Sequence, residues 1–192
     1  MPCPEKFRDS LILFHVKSEI IQLINEGYED LKSSSSKKII AEYFVRAMEI
    51  LDKETESDLK YIIMDYNACC KGGLRDKACR NFAKAYQTLD LCEKISHIGE
   101  VSNMGEAVLD KNRIIVTGIQ WKVDNRFKCA CPNFNWSKET IQLSPTYCLC
   151  CAGHFRHHYQ NMLGIKLKTI EIVSSPLMSK GKKPCVFSFE II

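Results

Sequence analysis

Three groups of residues in the C-terminal half could do chemistry. The first is Cys129-Ala-Cys131-Pro132, and the second is Tyr147-Cys148-Leu-Cys150-Cys151-Ala-Gly153-His154. The third is His157-His158, one helical turn beyond His154. In a strand, Cys129 and Cys131 face the same way with Cα atoms about 7 Å apart, and Cys148 and Cys150 have the same relation. Cys151 and His154 are three apart and Cys150 and His154 four apart, so both pairs meet on one face of a helix, and His158 continues that ridge. Thiolates and imidazoles are the donors that zinc and iron–sulfur clusters select. The expected metal ligands are Cys129, Cys131, Cys148, Cys150, His154 and His158, with zinc ranked ahead of iron or an iron–sulfur cluster. A second chemistry needs no metal. A helix starting near Ala152 would set Cys150 and Cys151 at its N-terminus, where unpaired N–H groups and the helix dipole lower a thiol pKa. Cys150 or Cys151 would then be the nucleophile and His154 its base. Asp124 and Glu139 are the carboxylates nearest in sequence.

The remaining cysteines and histidines have plainer readings. Free cysteine behaves as a small hydrophobe. Cys79 and Cys92 sit in apolar helical patterns and are expected to pack. Cys185 shares a face with Phe187 and Phe189, where it packs or walls a site. Cys69-Cys70 extends an apolar stripe, yet lies at a break marked by Gly72-Gly73. His157 points away from the buried stripe of its helix and is expected in solvent. His15 and His97 have no ligand-like neighbours. Trp121 and Trp136 are expected to pack, although Trp136 stands in a loop that could form a lid.

The elements that must position these groups fall into two parts. From residue 1 to about 100 the apolar spacing is helical. Phe7, Leu11 and Phe14, then Ile20, Ile21, Leu23 and Ile24, predict a helix ending at Gly27. Phe44, Ala47, Met48 and Leu51 predict another. Leu59, Ile62, Ile63 and Tyr66 predict a third, stopped near Gly72-Gly73. Cys79, Phe82, Ala83 and Tyr86 mark a fourth, and Leu91–Ile95 a short fifth. From 101 to 192 strands dominate. Glu106–Leu109 and Ile114–Ile119 flank a turn and predict a hairpin. Phe127–Cys131 predicts a strand stopped by Pro132. Ala152–Leu163 predicts a helix capped by Gly164. Ile165–Val173 and Pro184–Ile192 predict two more strands, the last alternating cleanly. The fold expected is α+β in one domain over 1–192: an N-terminal helical layer packed with a C-terminal antiparallel sheet and one helix.

Composition narrows the function classes. Hydrophobic residues are 45% of the chain and charged residues 26%, as in ordinary globular proteins. The net charge is +4 and spread along the chain, unlike the dense basic stripe of a nucleic-acid binder. No segment approaches the ~20 apolar residues of a membrane span. The N-terminus turns polar at once, without the apolar core of a signal peptide. The expected compartment is the cytoplasm, where thiols stay reduced. The 11 cysteines are roughly 6% of the residues, below the ~8–10% of short secreted disulfide scaffolds. Metal binding, thiol chemistry and burial are therefore each favoured over a disulfide framework.

Cys129–Pro132, Tyr147–Phe155 and Gly181–Ile191, the last containing Pro184-Cys185-x-Phe187-x-Phe189, together resemble an uncharacterised bacterial and archaeal cysteine-rich family. That family is similar to the aminothiazoline-carboxylate hydrolase-like proteins and, more distantly, to small-molecule-binding domains of the 4-vinyl-reductase type. The resemblance covers roughly the C-terminal half. It implies an α+β fold with a pocket between sheet and helix, and the binding or hydrolysis of a small, sulfur-containing molecule. Three functions stand open. One is a small-molecule protein, enzyme or sensor, with a Cys/His-bound metal whose activated water attacks a C=N or C–N centre. Another is a metal-free thiol enzyme. The last is a non-catalytic interaction module with a structural four-cysteine zinc site. An exposed sheet edge would allow a homodimer.

Overall fold

Apolar residues at helical spacing dominate the first hundred positions, and helices form there. The structure, a computed structural model, describes residues 2–68, 71–137 and 141–192. Cys69, Cys70 and Glu139, named above, lie outside the described residues. Among the described residues the first helices are α1 (Pro4–Leu13), α2 (Ser18–Asn25), α3 (Lys37–Glu54), α4 (Ser57–Tyr66), α5 (Gly73–Ala85) and α6 (Leu91–Ser96). Strands β1 (Glu106–Asp110), β2 (Arg113–Thr117), β3 (Trp121–Val123) and β4 (Arg126–Lys128) follow. Helix α7 (Pro145–Leu163) then leads to β5 (Leu167–Ser174) and β6 (Val186–Ile191). The α+β expectation holds: helices first, then an antiparallel sheet with one long helix packed against helices and strands.

The main sheet has the order β1-β2-β6-β5, antiparallel throughout. The β1–β2 turn is the one expected, with Lys111 at φ 57°. A second hairpin, β3–β4, turns on Asp124 and Asn125, both at positive φ. Asp and Asn tolerate that conformation better than other non-glycine residues, and it matches the twist of the flanking strands. Two sequence expectations of single helices and strands fail here. The helix through Phe7–Ile24 is two helices, broken at residues 14–17 where His15 takes φ 56°. The strand through Cys131 stops at Lys128, which leaves Cys129 and Cys131 in an irregular segment.

Two hydrophobic cores share α7. One joins Phe7, Tyr43, Phe44, Met48 and Leu51 to Tyr147, Cys148 and Cys150 of α7. The other joins Phe187, Phe189, Ile114 and Val116 of the sheet to Phe155, Tyr159 and Met162 of α7. Twelve residues of α7 are buried, and a helix covered on so many sides cannot show the one-sided apolar stripe of a surface helix. The face given to α4 is different from the sequence expectation. Ile63 and Met64 are buried, while Ile62 and Tyr66 are 45% and 42% exposed.

Close approach of α4 to α7 is made possible by Gly153. A Cβ there would lie 2.4 Å from Asp65 Oδ1 and 2.9 Å from Ala68 Cβ. The Asp65 carboxylate cannot simply move, because Oδ1 accepts from Arg156 Nη2 at 2.7 Å. In an unobstructed helix, Gly→Ala stabilises by about 1 kcal/mol. At Gly153 overpacking should win, so Gly153→Ala is expected to cost a net ~1–3 kcal/mol. A thermal melt reads this as a lower midpoint; a raised midpoint would mean that α4 and α7 are not so closely apposed.

Candidate functional site

Ser144 and Pro145 decide the geometry of the cysteine cluster. Ser144 caps α7, its Oγ accepting from the Thr146 N–H at 3.1 Å, and Pro145 occupies the first turn where no N–H is needed. The helix therefore starts seven residues before Ala152 and contains Cys148, Cys150 and Cys151. This corrects two expectations. Cys148 and Cys150 do not face the same way, since two residues on a helix turn by about 200°. Cys150 and Cys151 lie in the second turn of α7, beyond the first-turn N–H groups that lower a thiol pKa.

The cluster surrounds a cavity of about 240 Å³. Cys129 and Cys131 come from the segment after β4, Cys150, Cys151 and His154 from α7, and Cys185 from the residue before β6. Phe155, Phe187 and Ile119 supply apolar wall, and Arg75 of α5 reaches in from the other side. Four of the six expected ligands, Cys129, Cys131, Cys150 and His154, thus meet at one space. Cys148 turns away, its thiol 3.4 Å from Ser175 Oγ. His158 turns toward α5, where Nδ1 lies 3.4 Å from Cys79 Sγ. Trp136 lines a separate groove beside α3 and does not cover this cavity. Cys79 is buried as expected, but Cys92 is exposed rather than packed. The described cysteines are all free thiols.

The thiols differ in ionisation. Burial pushes Cys131 and Cys148 up to about 12 and raises Cys129 and Cys185, each with neighbouring thiols adding to the effect. Cys151 goes the other way. Cys150 Sγ lies 4.0 Å away and donates its S–H to Cys151, which holds the Cys151 thiol below its ordinary value against the effect of burial. The cause at Cys151 is a neighbouring thiol, not the helix end from which a lowering was expected. Cys131 is held by a small network. Asn133 Nδ2 donates to Tyr147 Oη at 2.9 Å and to the Pro2 carbonyl at 3.0 Å. The Tyr147 hydroxyl hydrogen is then directed to Cys131 Sγ, 3.3 Å away.

Beside the cavity, α5 and α7 meet along a polar seam. Arg75 Nη1 is 3.0 Å from His154 Nε2. Asp76 Oδ1 is 3.6 Å from His157 Nε2 and accepts from Asn161 Nδ2 at 3.2 Å, while Asp76 Oδ2 pairs with Arg80. His157 is therefore half-buried on α5, not in solvent as its wheel position suggested. Among the described residues, Asp76, His157 and His158 offer donor atoms that all lie within 4.8 Å of one another, a group that could hold a metal ion. Two imidazoles and a carboxylate suit zinc with a further position open, although Arg80 and Asn161 compete for the carboxylate. Sequence reasoning missed Arg75 and Asp76. The signal available was the repeat Arg75-Asp76…Cys79-Arg80, two i,i+4 pairs on one helix.

No family model, curated protein or solved structure matches the chain. No helix among the described residues is long and apolar enough to cross a membrane.

Tyr147→Phe tests the Cys131 network. It strips Asn133 of an acceptor and Cys131 of a donor in a buried setting, and is expected to cost about 1–2 kcal/mol. Urea unfolding reads this as a lower midpoint at unchanged slope. No change in midpoint would show that the hydroxyl carries no part of the packing there.

Proposed function

We propose that the chain binds a small molecule in the thiol-lined cavity and acts on it through Cys151. The observation that carries this is the convergence of Cys129, Cys131, Cys150, Cys151 and Cys185 with His154 on one enclosed space. Buried structural cysteines need no such space; reactive thiols do. Cys151 is the thiol with the lowered pKa, and so holds a larger thiolate fraction near neutral pH than Cys129, Cys131 or Cys185, which burial raises. In a hydrolase-like reaction its sulfur would attack an electrophilic carbon of the ligand, with His154 one helical turn away on the same face. A sulfur-containing ligand, as the resemblance implies, would suit the soft, apolar wall. A structural four-cysteine zinc site from Cys129, Cys131, Cys148 and Cys150 is less favoured, because Cys148 and Cys150 diverge on α7.

The sign of the pKa shifts sets the test. A thiol lowered from its usual value gains thiolate at pH 7, whereas thiols raised to about 12 stay protonated. Brief treatment with iodoacetamide at pH 7, read by peptide mass spectrometry, should label Cys151 well before Cys131, Cys148 or Cys185. Cys151→Ser should remove that fast label. Uniform slow labelling of the cavity would end this reading.

A second reading has its own observation. The Asp76, His157 and His158 group would hold zinc, placing a metal beside the cavity and not inside the cysteine cluster. Elemental analysis would then find close to one zinc per chain, lost in Asp76→Asn while Cys151 labelling is retained. Zinc that survives Asp76→Asn but disappears in Cys129→Ser would place it among the cysteines instead.

A further inference from the structure

Arg75 is unusual among the arginines near α7. Arg156 pairs with Asp65 and Arg80 with Asp76, each through a carboxylate. Among the described residues no carboxylate pairs with Arg75. Its neighbour Asp76 is turned to Arg80 and Asn161. Among the described residues the Arg75 guanidinium is hydrogen-bonded to His154 Nε2, at 3.0 Å. A guanidinium has only donors, so Nε2 must accept, as a ring nitrogen that carries no proton. That bond aims the guanidinium and leaves its charge without a carboxylate partner among the described residues.

The rest of the described wall carries no carboxylate and no second basic chain. Apart from His154 it consists of thiols, Phe155, Phe187, Ile119, Ala130 and Pro132. A positive charge beside a half-open, mostly apolar space attracts an anion more strongly than it would in bulk water. The planar fork of arginine matches a carboxylate in two-point contact. A phosphate dianion would call for a second cation, which the described wall does not offer. A space of about 240 Å³ suits a compact metabolite.

We propose that Arg75 is the recognition residue of the cavity and that its ligand is a small monoanion, a carboxylate whose reactive carbon is held against the thiols of α7. His154 is a positioning residue that orients the guanidinium. This inference rests on the reading of the cavity as a small-molecule site, and names the class of molecule.

Iodoacetate and iodoacetamide provide the probe. They are nearly the same size and transfer a CH2 carbon to sulfur in the same way: a C–S bond forms, the C–I bond breaks, and iodide leaves. Both need the same thiolate, so the ratio of their rates at one cysteine is independent of that thiol's ionisation and reports the charge of the site. The ratio at Cys151 is measured against 2-mercaptoethanol, which carries no charge apart from its thiolate. It should exceed the mercaptoethanol ratio by about tenfold, as a positive site steers an anionic reagent. It should fall to the mercaptoethanol value in Arg75→Gln and stay raised in Arg75→Lys; any change in thiol ionisation cancels in the ratio, and an unchanged melting temperature shows that the fold is kept. A fast Cys151 label whose ratio equals that of mercaptoethanol, or is the same in Arg75→Gln, overturns the anion assignment and leaves the thiol cavity standing. If no cavity thiol reacts faster than exposed Cys92, the cavity holds no activated thiol open to molecules of this size, and both readings fall.

Discussion

The rest of the structure depends on the burial of α7 from both sides. A helix that serves two cores must carry residues acceptable to each. In its first half the aromatic packing of Phe44 and Phe134 on Tyr147 fixes it to the helical layer. In its second half Phe155 packs against Phe187 of the sheet at a centroid distance of 5.3 Å. Between them lie Cys150, Cys151, Ala152 and Gly153, four small residues in succession. Small size is what the junction requires, since Gly153 already touches α4. Sulfur meets that requirement and adds reactivity. The packing demand and the chemical opportunity therefore coincide at the same few positions.

Polar groups at the same junction are organised by α5. Burying imidazoles beside apolar helices is costly unless each has a hydrogen-bonding partner. His154 finds Arg75, His157 finds Asp76 and Asn161, and His158 finds Cys79. Ring contacts link the three histidines, with centroids 4.7 Å apart for His154–His158 and 5.1 Å for His157–His158. The seam leads continuously from the candidate metal group to the cavity wall. A nitrogen-and-oxygen donor set and a thiol set thus meet at α7, with α5 supplying the carboxylate of the first.

Much of this was legible in the residues themselves. The alternation of Phe187 and Phe189 and the turn at Lys111-Asn112 are local signals, and the sheet follows them. Gly164 at φ 70° ends α7 where its type predicts. Of the six residues expected to converge, Cys129, Cys131, Cys150 and His154 line the cavity, while Cys148 and His158 turn elsewhere. A short run such as Tyr147–Cys150 has no decisive period, so strand and helix compete. The cap at Ser144 and Pro145 decides between them, and it lies inside what looked like a polar excursion. Asp124-Asn125 was a turn signal of the same kind. Arg75, Asp76 and His157 could not be assigned from spacing alone. Their roles arise from the pairing of α5 with α7 across roughly eighty residues of chain, and tertiary pairing of that separation leaves no periodic trace.

The change of composition near residue 100 has a further meaning in this light. It divides helix-rich from strand-rich sequence, yet both cores cross it: α5 and α6 contribute Cys79, Phe82 and Ile95 to the sheet side, while Cys131, Leu143 and Leu177 belong to the helical side. Neither portion could be inherited or exchanged alone without baring a long apolar flank of α7. Gene fusion or shuffling at that boundary is therefore a poor route for this architecture to have arisen or to diversify. Its variation would have to come from point changes around the junction, where a single methyl group or a single sulfur already alters what the molecule can hold.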